Sequence, residues 1–267
     1  MTNKSMEGKV AIVFGAAGRD NMGQVIARRF ANEGARVVVA GRHESELQRF
    51  ASEIGGVAHV ADITRKDDVT ALFECASAFS GKGAVDVAVN ATGWGLLKSL
   101  EETTVEELDQ MTALQFKGPF YFCQAAVTHM KANGGSIIQI SSATATIMLE
   151  NHAAYMGTKA GTDHLLRTVA NEYGQYGIRA NSISPGLTET PMTSAAKDIP
   201  GMFDAFLSCY PLGRIGTKED IAAAAVWLSS DECFMTGQNL QVNGGLTLRR
   251  NPTNAEIQAS IAKATQE

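Results

Sequence analysis

The chain has 267 residues, of which 45% are hydrophobic and 19% are charged, so it can bury one large α/β core. The formal net charge of −5 provides no basic surface for nucleic acid. The four cysteines and five histidines are scattered without metal-ligand spacing, and the first apolar run, 10–14, is too short for a signal peptide or a membrane span. We therefore expect a cytoplasmic protein with no metal, nucleic-acid or membrane partner.

Short apolar runs rich in β-branched residues alternate with longer helical patterns along the whole chain. The predicted strands are 10–14, 36–40, 57–61, 85–89, 136–140, 178–183 and 240–242. The predicted helices lie near 22–33, 44–54, 66–79, 104–131, 152–174 and 218–229. Strands that are apolar on both faces are typical of a parallel sheet covered by helices on both sides. The alternation predicts one domain over 1–267, a Rossmann-like, doubly wound α/β fold with a mostly parallel sheet of seven strands.

Two segments depart from this alternation. The stretch 188–214 is irregular, and four of the six prolines lie in it or just before it. Long irregular insertions near the carboxyl ends of strands are usually functional, so we expect a substrate loop there. The tail from 249 is polar, and we expect it to form a final short helix.

The first predicted strand leads into the glycine-rich turn Gly15-Ala-Ala-Gly18-Arg19-Asp20-Asn21-Met22-Gly23, which is followed by a helix. Glycines let the backbone approach a pyrophosphate, and the helix N-terminus supplies free N–H groups and partial positive charge. The turn therefore predicts a dinucleotide site. Its candidate cofactor-binding residues are Gly15, Arg19, Asn21, Met22 and Gly23.

The end of the second strand indicates which dinucleotide is bound. An acidic residue there would bind the adenosine ribose 2′-hydroxyl of NAD(H). This chain instead has Gly41 followed by Arg42, whose guanidinium suits a phosphate, and Arg19 can supply a second one. These residues favour NADP(H) over NAD(H).

A candidate proton-transfer site follows the fifth predicted strand. Tyr155 and Lys159 are four residues apart on a predicted helix and therefore share one face of it. Ser142 lies 13 positions before Tyr155, at the end of the strand. A phenol, an ammonium and a hydroxyl held together can move a proton to or from an oxygen atom.

Further motifs, taken with these residues, resemble the short-chain dehydrogenase/reductase superfamily over nearly the whole chain. The segments that carry the resemblance are Asp62-Ile63, Asn90-Ala91-Thr92-Gly93, Arg179–Gly186 and Gly237–Gly245. The resemblance implies that Tyr155 is the general acid/base, that Ser142 holds the substrate oxygen and that Lys159 holds the nicotinamide ribose. It also implies cofactor contacts from Asp62, Ile63, Asn90, Ala91, Thr92, Gly93, Pro185, Gly186, Leu187 and Thr190.

Two departures from the family pattern refine the prediction. The glycine turn is two residues longer than usual, which is similar to enoyl-acyl-carrier-protein reductases. Those enzymes, however, space the tyrosine and lysine by seven positions, so the spacing of four in this chain favours carbonyl reductases and alcohol dehydrogenases. Gln115 stands where the family has a catalytic asparagine, and it is the fourth candidate catalytic residue.

The residues expected around the substrate are mostly apolar. They are Trp94, Leu96, Leu97, Ala143, Met148, Leu149, Met192, Met202, Phe203 and Phe206. They predict a hydrophobic ketone or secondary alcohol of alicyclic, terpenoid or steroid type. The alternatives are a 3-oxoacyl-acyl-carrier-protein reductase and a non-catalytic NADP(H)-binding sensor or scaffold.

Small residues on the predicted helix 152–174 suggest how copies of the chain assemble. Ala153, Gly157, Ala160, Gly161 and His164 lie on a face away from Tyr155. Small side chains permit close helix–helix approach, and in the family the equivalent helix packs against its mate. We therefore expect a homotetramer.

Overall fold

The computed structural model describes residues 4–191 and 193–266, and these contain one sheet of seven parallel strands. The strands are β1 (Val10–Phe14), β2 (Arg36–Gly41), β3 (Val57–Val60), β4 (Val87–Asn90), β5 (Gly135–Ile140), β6 (Ile178–Pro185) and β7 (Asn239–Val242). Their order across the sheet is β3-β2-β1-β4-β5-β6-β7. The chain therefore reverses its winding direction at β1, between β2 and β4. Such a reversal opens a crevice at the carboxyl ends of the strands, where ligands bind in this class of sheet.

Helices cover both faces of the sheet. They are α1 (Met22–Asn32), α2 (Glu44–Ile54), α3 (Lys66–Ser80), α4 (Val105–Thr112), α5 (Gly118–Met130), α6 (Ala153–Tyr173), α7 (Ser194–Lys197), α8 (Met202–Leu207), α9 (Lys218–Ser229) and α10 (Asn254–Ala264). On one face, Phe30 of α1, Phe50 of α2 and Ile221 of α9 belong to one buried cluster. On the other face, Phe73 of α3 and Phe122 of α5 belong to a second. The prediction of a doubly wound parallel sheet is confirmed.

The predicted helix 104–131 is not one regular helix. A π-helical turn, Ala113–Lys117, separates α4 from α5, and in it the N–H of Gly118 bonds to the carbonyl of Ala113. The carbonyl of Gln115 accepts a hydrogen bond from the Thr162 hydroxyl of α6 (2.6 Å). An extra residue in one turn leaves the apolar pattern on either side almost unchanged, so the sequence gives no sign of it.

Described residues of the segment 188–214 and of the C-terminal tail pack together as a small lobe that also includes Ala143, close after β5. The segment contains α7 and α8, which the irregular sequence did not predict. The predicted final helix is α10, and it packs against α8. The buried members of this third cluster are Ala143, Phe206, Cys209, Tyr210, Leu246 and Ile257.

None of the helices formed by residues 4–191 and 193–266 is both long enough and apolar enough to cross a bilayer.

Candidate active site

The predicted site residues gather at the carboxyl edge of the sheet because each follows a parallel strand. Gly15 directly follows β1 and Ala91 directly follows β4. Ser142 is the second residue after β5, and Pro185 is the last residue of β6. These residues are far apart in the chain, and the parallel strand order alone brings them to one edge.

The glycine-rich turn closes tightly at the reversal point. Gly15 has a φ of 98°, and a Cβ atom on it would lie 2.7 Å from the backbone of Ala91. A Cβ on Gly23 would lie 2.6 Å from the Gly15 carbonyl oxygen. Asn21 completes the longer turn, because its Nδ2 donates to the Gly15 carbonyl (2.7 Å) and its Oδ1 accepts from the Gln24 N–H (3.0 Å). Asn21 is therefore the N-cap of α1.

The end of β2 has no space for an acidic side chain. A Cβ atom on Gly41 would lie 2.6 Å from the Cβ of Ala17 in the glycine turn. Arg19 and Arg42 are both exposed, and neither forms a salt bridge with any residue that the structure describes. The end of β2 and the glycine-rich turn therefore present two guanidinium groups without a salt-bridge partner among the described residues, and position 41 presents no carboxylate.

The turns after β3 and β4 are held by their own polar side chains. Asp62 Oδ1 accepts from the N–H and the hydroxyl of Thr64 (2.9 and 2.8 Å). Asn90 Oδ1 accepts from the N–H and the hydroxyl of Thr92 (3.0 and 2.8 Å), and its Nδ2 donates to Gln139 of β5 (2.9 Å). These bonds fix the backbone of two segments of predicted cofactor contacts, in which Ile63 is buried and Gly93 is partly exposed.

Tyr155 and Lys159 lie one turn apart on α6, and Lys159 Nζ is 5.6 Å from the centre of the Tyr155 ring. Lys159 is 4% exposed, and its ammonium donates to the Ile140 carbonyl at the end of β5 (2.8 Å). The Ser142 hydroxyl pairs with that of Thr144 (2.9 Å). The structure thus brings the three predicted proton-transfer residues together.

Burial shifts the proton affinities of this group. It raises the pKa of Tyr155 above its ordinary value, and a side-chain hydrogen bond with Ser142 partly opposes that shift. Burial lowers the pKa of Lys159 to about 8, and the negative charge of Asp163 opposes that shift. Both changes follow from the cost of placing a charged form away from water.

Gln115 reaches the same site from the π-helical turn. It is 2% exposed, and its Nε2 donates to the Trp94 carbonyl (3.2 Å). Its Oε1 is sealed from solvent and has no hydrogen-bond partner among the described residues. A Cβ atom built on Gly93 would lie 3.5 Å from this oxygen and 3.8 Å from Lys159 Nζ, so the two polar atoms flank one position.

The segment after β6 depends on Tyr210, which sequence reasoning did not identify. Its hydroxyl accepts a hydrogen bond from the N–H of Leu187, and a Cβ atom on Gly186 would lie 2.3 Å from that hydroxyl oxygen. Thr190 is partly exposed, and its N–H donates to Thr193 (3.1 Å). The mainly apolar residues around Tyr210 do not indicate that its hydroxyl holds the backbone at Leu187, more than twenty residues earlier in the chain.

The predicted substrate residues that the structure describes fall into three groups by exposure. Ala143 and Phe206 are 1% and 8% exposed and pack within the lobe, and their contact with substrate stays a prediction. Leu97 and Met148 are 70% and 68% exposed. The others that the structure describes are partly exposed: Trp94, Leu96, Leu149, Met202 and Phe203. Met192 lies outside the described residues.

A groove of about 590 Å³ lies beside two of these residues, Met148 and Leu149. Its lining includes Leu100, Met148, Leu149, His152 and Met156. The groove borders the first turn of α6, which carries Tyr155.

Known proteins resemble this chain over almost its whole length. The family model described as "Enoyl-(Acyl carrier protein) reductase" matches residues 15–247. The D-threitol dehydrogenase of Mycolicibacterium smegmatis is 34% identical over 249 residues, which cover 91% of this chain and 95% of the relative. The 3beta-hydroxysteroid dehydrogenase 1 of Eggerthella lenta is 36% identical over 252 residues, with 91% and 95% coverage.

A solved structure of a short-chain type dehydrogenase/reductase from Mycobacterium ulcerans has a TM-score of 0.89 to this fold. It is 28% identical in sequence, and the match covers 97% of this chain and 98% of that one. The chain belongs to the short-chain dehydrogenase/reductase superfamily. It is accordingly an oxidoreductase of alcohols or ketones with a nicotinamide nucleotide, NAD(H) or NADP(H), as cofactor.

Proposed function

We propose that this protein is an NADP(H)-dependent carbonyl reductase and alcohol dehydrogenase that interconverts a hydrophobic ketone and its secondary alcohol. The observation that carries the proposal is the grouping of Tyr155, Lys159 and Ser142 at the sheet edge that also holds the glycine-rich turn. The four-residue spacing of Tyr155 and Lys159 supports a carbonyl substrate rather than an enoyl thioester.

The cofactor fits the residues at the edge of the sheet. Gly15 and Gly23 let the backbone of the turn pack tightly, and the N-terminus of α1 that follows would face the pyrophosphate. Arg19 and Arg42 would bind the 2′-phosphate that distinguishes NADP(H) from NAD(H). Lys159 would hold the nicotinamide ribose, and Pro185, Gly186, Leu187 and Thr190 would flank the nicotinamide, as in the family.

The chemistry of the protein's own residues then follows. When bound, NADPH supplies the hydride that reaches the carbonyl carbon, and NADP⁺ accepts it in the reverse direction. Burial favours the neutral phenol of Tyr155, which is the form that donates a proton to the ketone oxygen during reduction. The Ser142 hydroxyl would hydrogen-bond the same oxygen and stabilise its developing negative charge. The positive charge of Lys159 would stabilise the phenolate that Tyr155 becomes after it gives up its proton. Gln115, whose Oε1 lies across the Gly93 position from Lys159 Nζ, would help to orient the ammonium.

The surroundings support a hydrophobic substrate. Leucine and methionine side chains line or border the groove next to α6, and the exposed ones, Leu97, Leu100 and Met148, cannot be explained by packing within the protomer. A cluster of exposed apolar side chains beside a catalytic group commonly marks a ligand site. We infer an alicyclic, terpenoid or steroid-like body that covers these side chains.

The decisive experiment is a substrate panel with a Tyr155→Phe variant. Wild-type protein should oxidise NADPH with hydrophobic cyclic ketones faster than with 3-oxoacyl thioesters or sugars. Tyr155→Phe should lower kcat by about 100- to 10,000-fold, because it removes general acid catalysis, while NADP(H) affinity stays within a few-fold. Near-normal turnover in the variant would refute the role of Tyr155. NADP(H) binding without turnover on any carbonyl would instead indicate a sensor or scaffold.

We also propose that the protein is a homotetramer. Gly157, Ala160 and His164 lie on exposed positions of α6, and Phe116 and Phe120 beside them are 37% and 41% exposed. Small residues next to exposed aromatic side chains form a face that a second copy of the helix can cover.

A further inference from the structure

An acidic side chain lies directly behind the proposed catalytic group. Asp163 is on α6, four residues after Lys159 and therefore one turn further along the same face. Its Oδ2 accepts hydrogen bonds from the Ser141 hydroxyl (2.9 Å) and from the Asn239 side-chain amide. Ser141 directly follows β5 and Asn239 is the first residue of β7, so donors from two strand ends converge on one carboxyl group.

This environment is a costly one for a carboxylate. Asp163 Oδ1 is sealed from solvent and has no hydrogen-bond partner among the described residues, and no described cation lies within salt-bridge distance of the carboxyl group. Burial raises the pKa of Asp163 above its ordinary value, and hydrogen bonds to the carboxyl group and the charge of Lys159 only partly oppose that shift. The cost of desolvating this carboxylate is offset if its negative charge stabilises a positive charge nearby.

Lys159 is the neighbour on which that charge acts. The groups that face its ammonium are Tyr155 on the same helix, the Ile140 carbonyl at the end of β5, Gly93 after β4 and the Gln115 amide of the π-helical turn. All of these are uncharged at neutral pH. Within the part of the chain that the structure describes, Asp163 is the charged side chain whose field opposes the effect of burial on Lys159.

We propose that Asp163 is a positioning residue that acts through Lys159. Held by Ser141 and Asn239, it places one negative charge a helical turn from Lys159 and so keeps that ammonium charged in a buried site. The same hydrogen bonds tie α6 to Ser141, the residue next to Ser142. The proposal rests on the proposed function only in that the charge of Lys159 matters for turnover.

The sign of the pH effect follows from burial and charge. Burial lowers the pKa of Lys159 to about 8, so the ammonium loses its charge as the pH rises through that value. Removing the negative charge of Asp163 lowers the pKa of Lys159 further. The charge on Lys159 is then lost at a lower pH, and any step that needs it declines at a lower pH.

The first test compares the pH dependence of kcat in Asp163→Asn and Ser141→Ala. Asparagine keeps the size of the side chain and an oxygen for the Ser141 hydroxyl, but it carries no charge. Ser141→Ala removes one hydrogen bond and keeps the charge. The alkaline decline of kcat should move to lower pH in Asp163→Asn and should stay near the wild-type position in Ser141→Ala. An unchanged pH profile in Asp163→Asn, or equal shifts in the two variants, would overturn the proposal.

A second test does not depend on turnover. Asp163→Asn should lower Tm at pH 7 in the wild-type background, because the charged Lys159 loses its partner. In a Lys159→Met background the same substitution should raise Tm or leave it unchanged, because it now removes an unpaired buried charge. Equal Tm losses in the two backgrounds would overturn the coupling. If wild-type protein turned over no carbonyl, the proposed function would fail, while this cycle would still report on the Asp163–Lys159 pair.

Discussion

At the scale of single residues, the proposed preference for NADP(H) rests on Gly41 and Arg42. The sequence predicts NADP(H) because no acid ends β2, and the structure adds a steric reason. A side chain at position 41 would collide with Ala17, since its Cβ would lie 2.6 Å from the Ala17 Cβ. We therefore expect Gly41 and Arg42 both to favour NADP(H), Gly41 by excluding a carboxylate and Arg42 by its charge.

We predict that Arg42→Ala raises the KM for NADP(H) by about tenfold or more, because a charge-assisted hydrogen bond to a phosphate contributes about 1.5–3 kcal/mol. The KM for NAD(H) should stay nearly unchanged, because NAD(H) has no 2′-phosphate. Steady-state kinetics with both cofactors measures the ratio. An equal loss with both cofactors would contradict a specific phosphate contact.

Gly41→Asp provides a matched prediction. Alone it should lower Tm and give little activity with NAD(H), because the new side chain meets Ala17. Combined with Ala17→Gly, it should recover Tm and use NAD(H) better than the wild type does. Failure of the double variant to recover Tm, with the collision removed, would show that another contact excludes side chains at position 41.

At the scale of secondary-structure elements, the small lobe depends on how α8 and α10 meet. Gly201, the residue before α8, has a φ of 76°, and a Cβ atom on it would lie 2.4 Å from the Ser260 carbonyl oxygen of α10. The Ser260 hydroxyl donates to the Gly201 carbonyl (2.8 Å). The C-terminal helix therefore holds the segment in which Phe206 belongs to the third buried cluster and Met202 packs against that cluster.

We predict that Gly201→Ala loosens α10 from this lobe. Gly213→Ala is the control, because Gly213 has a similar φ of 68° but nothing within 4 Å of its Cβ position. Both substitutions cost about 1–2 kcal/mol of left-handed backbone strain, and only the first adds a collision. Hydrogen exchange over 254–264 should increase in Gly201→Ala and not in Gly213→Ala. Equal exchange in the two variants would mean that backbone strain alone explains any loss.

The π-helical turn illustrates why elements are harder to predict than motifs. The sequence correctly predicted helical structure on both sides of Gln115. It could not predict that Thr162, 47 residues later, donates to the Gln115 carbonyl, because this contact exists only once α6 lies beside the turn.

At the scale of the whole molecule, the proposed tetramer depends on the face of α6 that points away from the sheet. A Cβ atom on Gly157 would meet nothing within 4 Å, so a larger residue there does not disturb the protomer. We predict that Gly157→Glu lowers the oligomeric mass, because it places charge in a close helix–helix contact. Helix propensity should not lower the Tm of the protomer, because glutamate favours a helix more than glycine does. Light scattering after size-exclusion chromatography measures the mass.

Gly174→Glu is the control for that experiment. Gly174 also has open space at its Cβ position, and it lies at the opposite end of α6. The oligomeric mass of the Gly174→Glu variant should remain that of the wild type. A wild-type mass in Gly157→Glu would show that this face does not join two copies.

The sequence by itself determined the order of strands and helices, the glycine-rich turn and the grouping of Ser142, Tyr155 and Lys159. These features are encoded by residues close together in the chain, through apolar periodicity and the four-residue spacing of one helical turn. Only the tertiary structure revealed that Ala17 closes position 41, that Tyr210 orders the chain after β6 and that Asp163 lies behind Lys159. Their effects arise from contacts between segments far apart in sequence and from burial, which sets the cost of each charge.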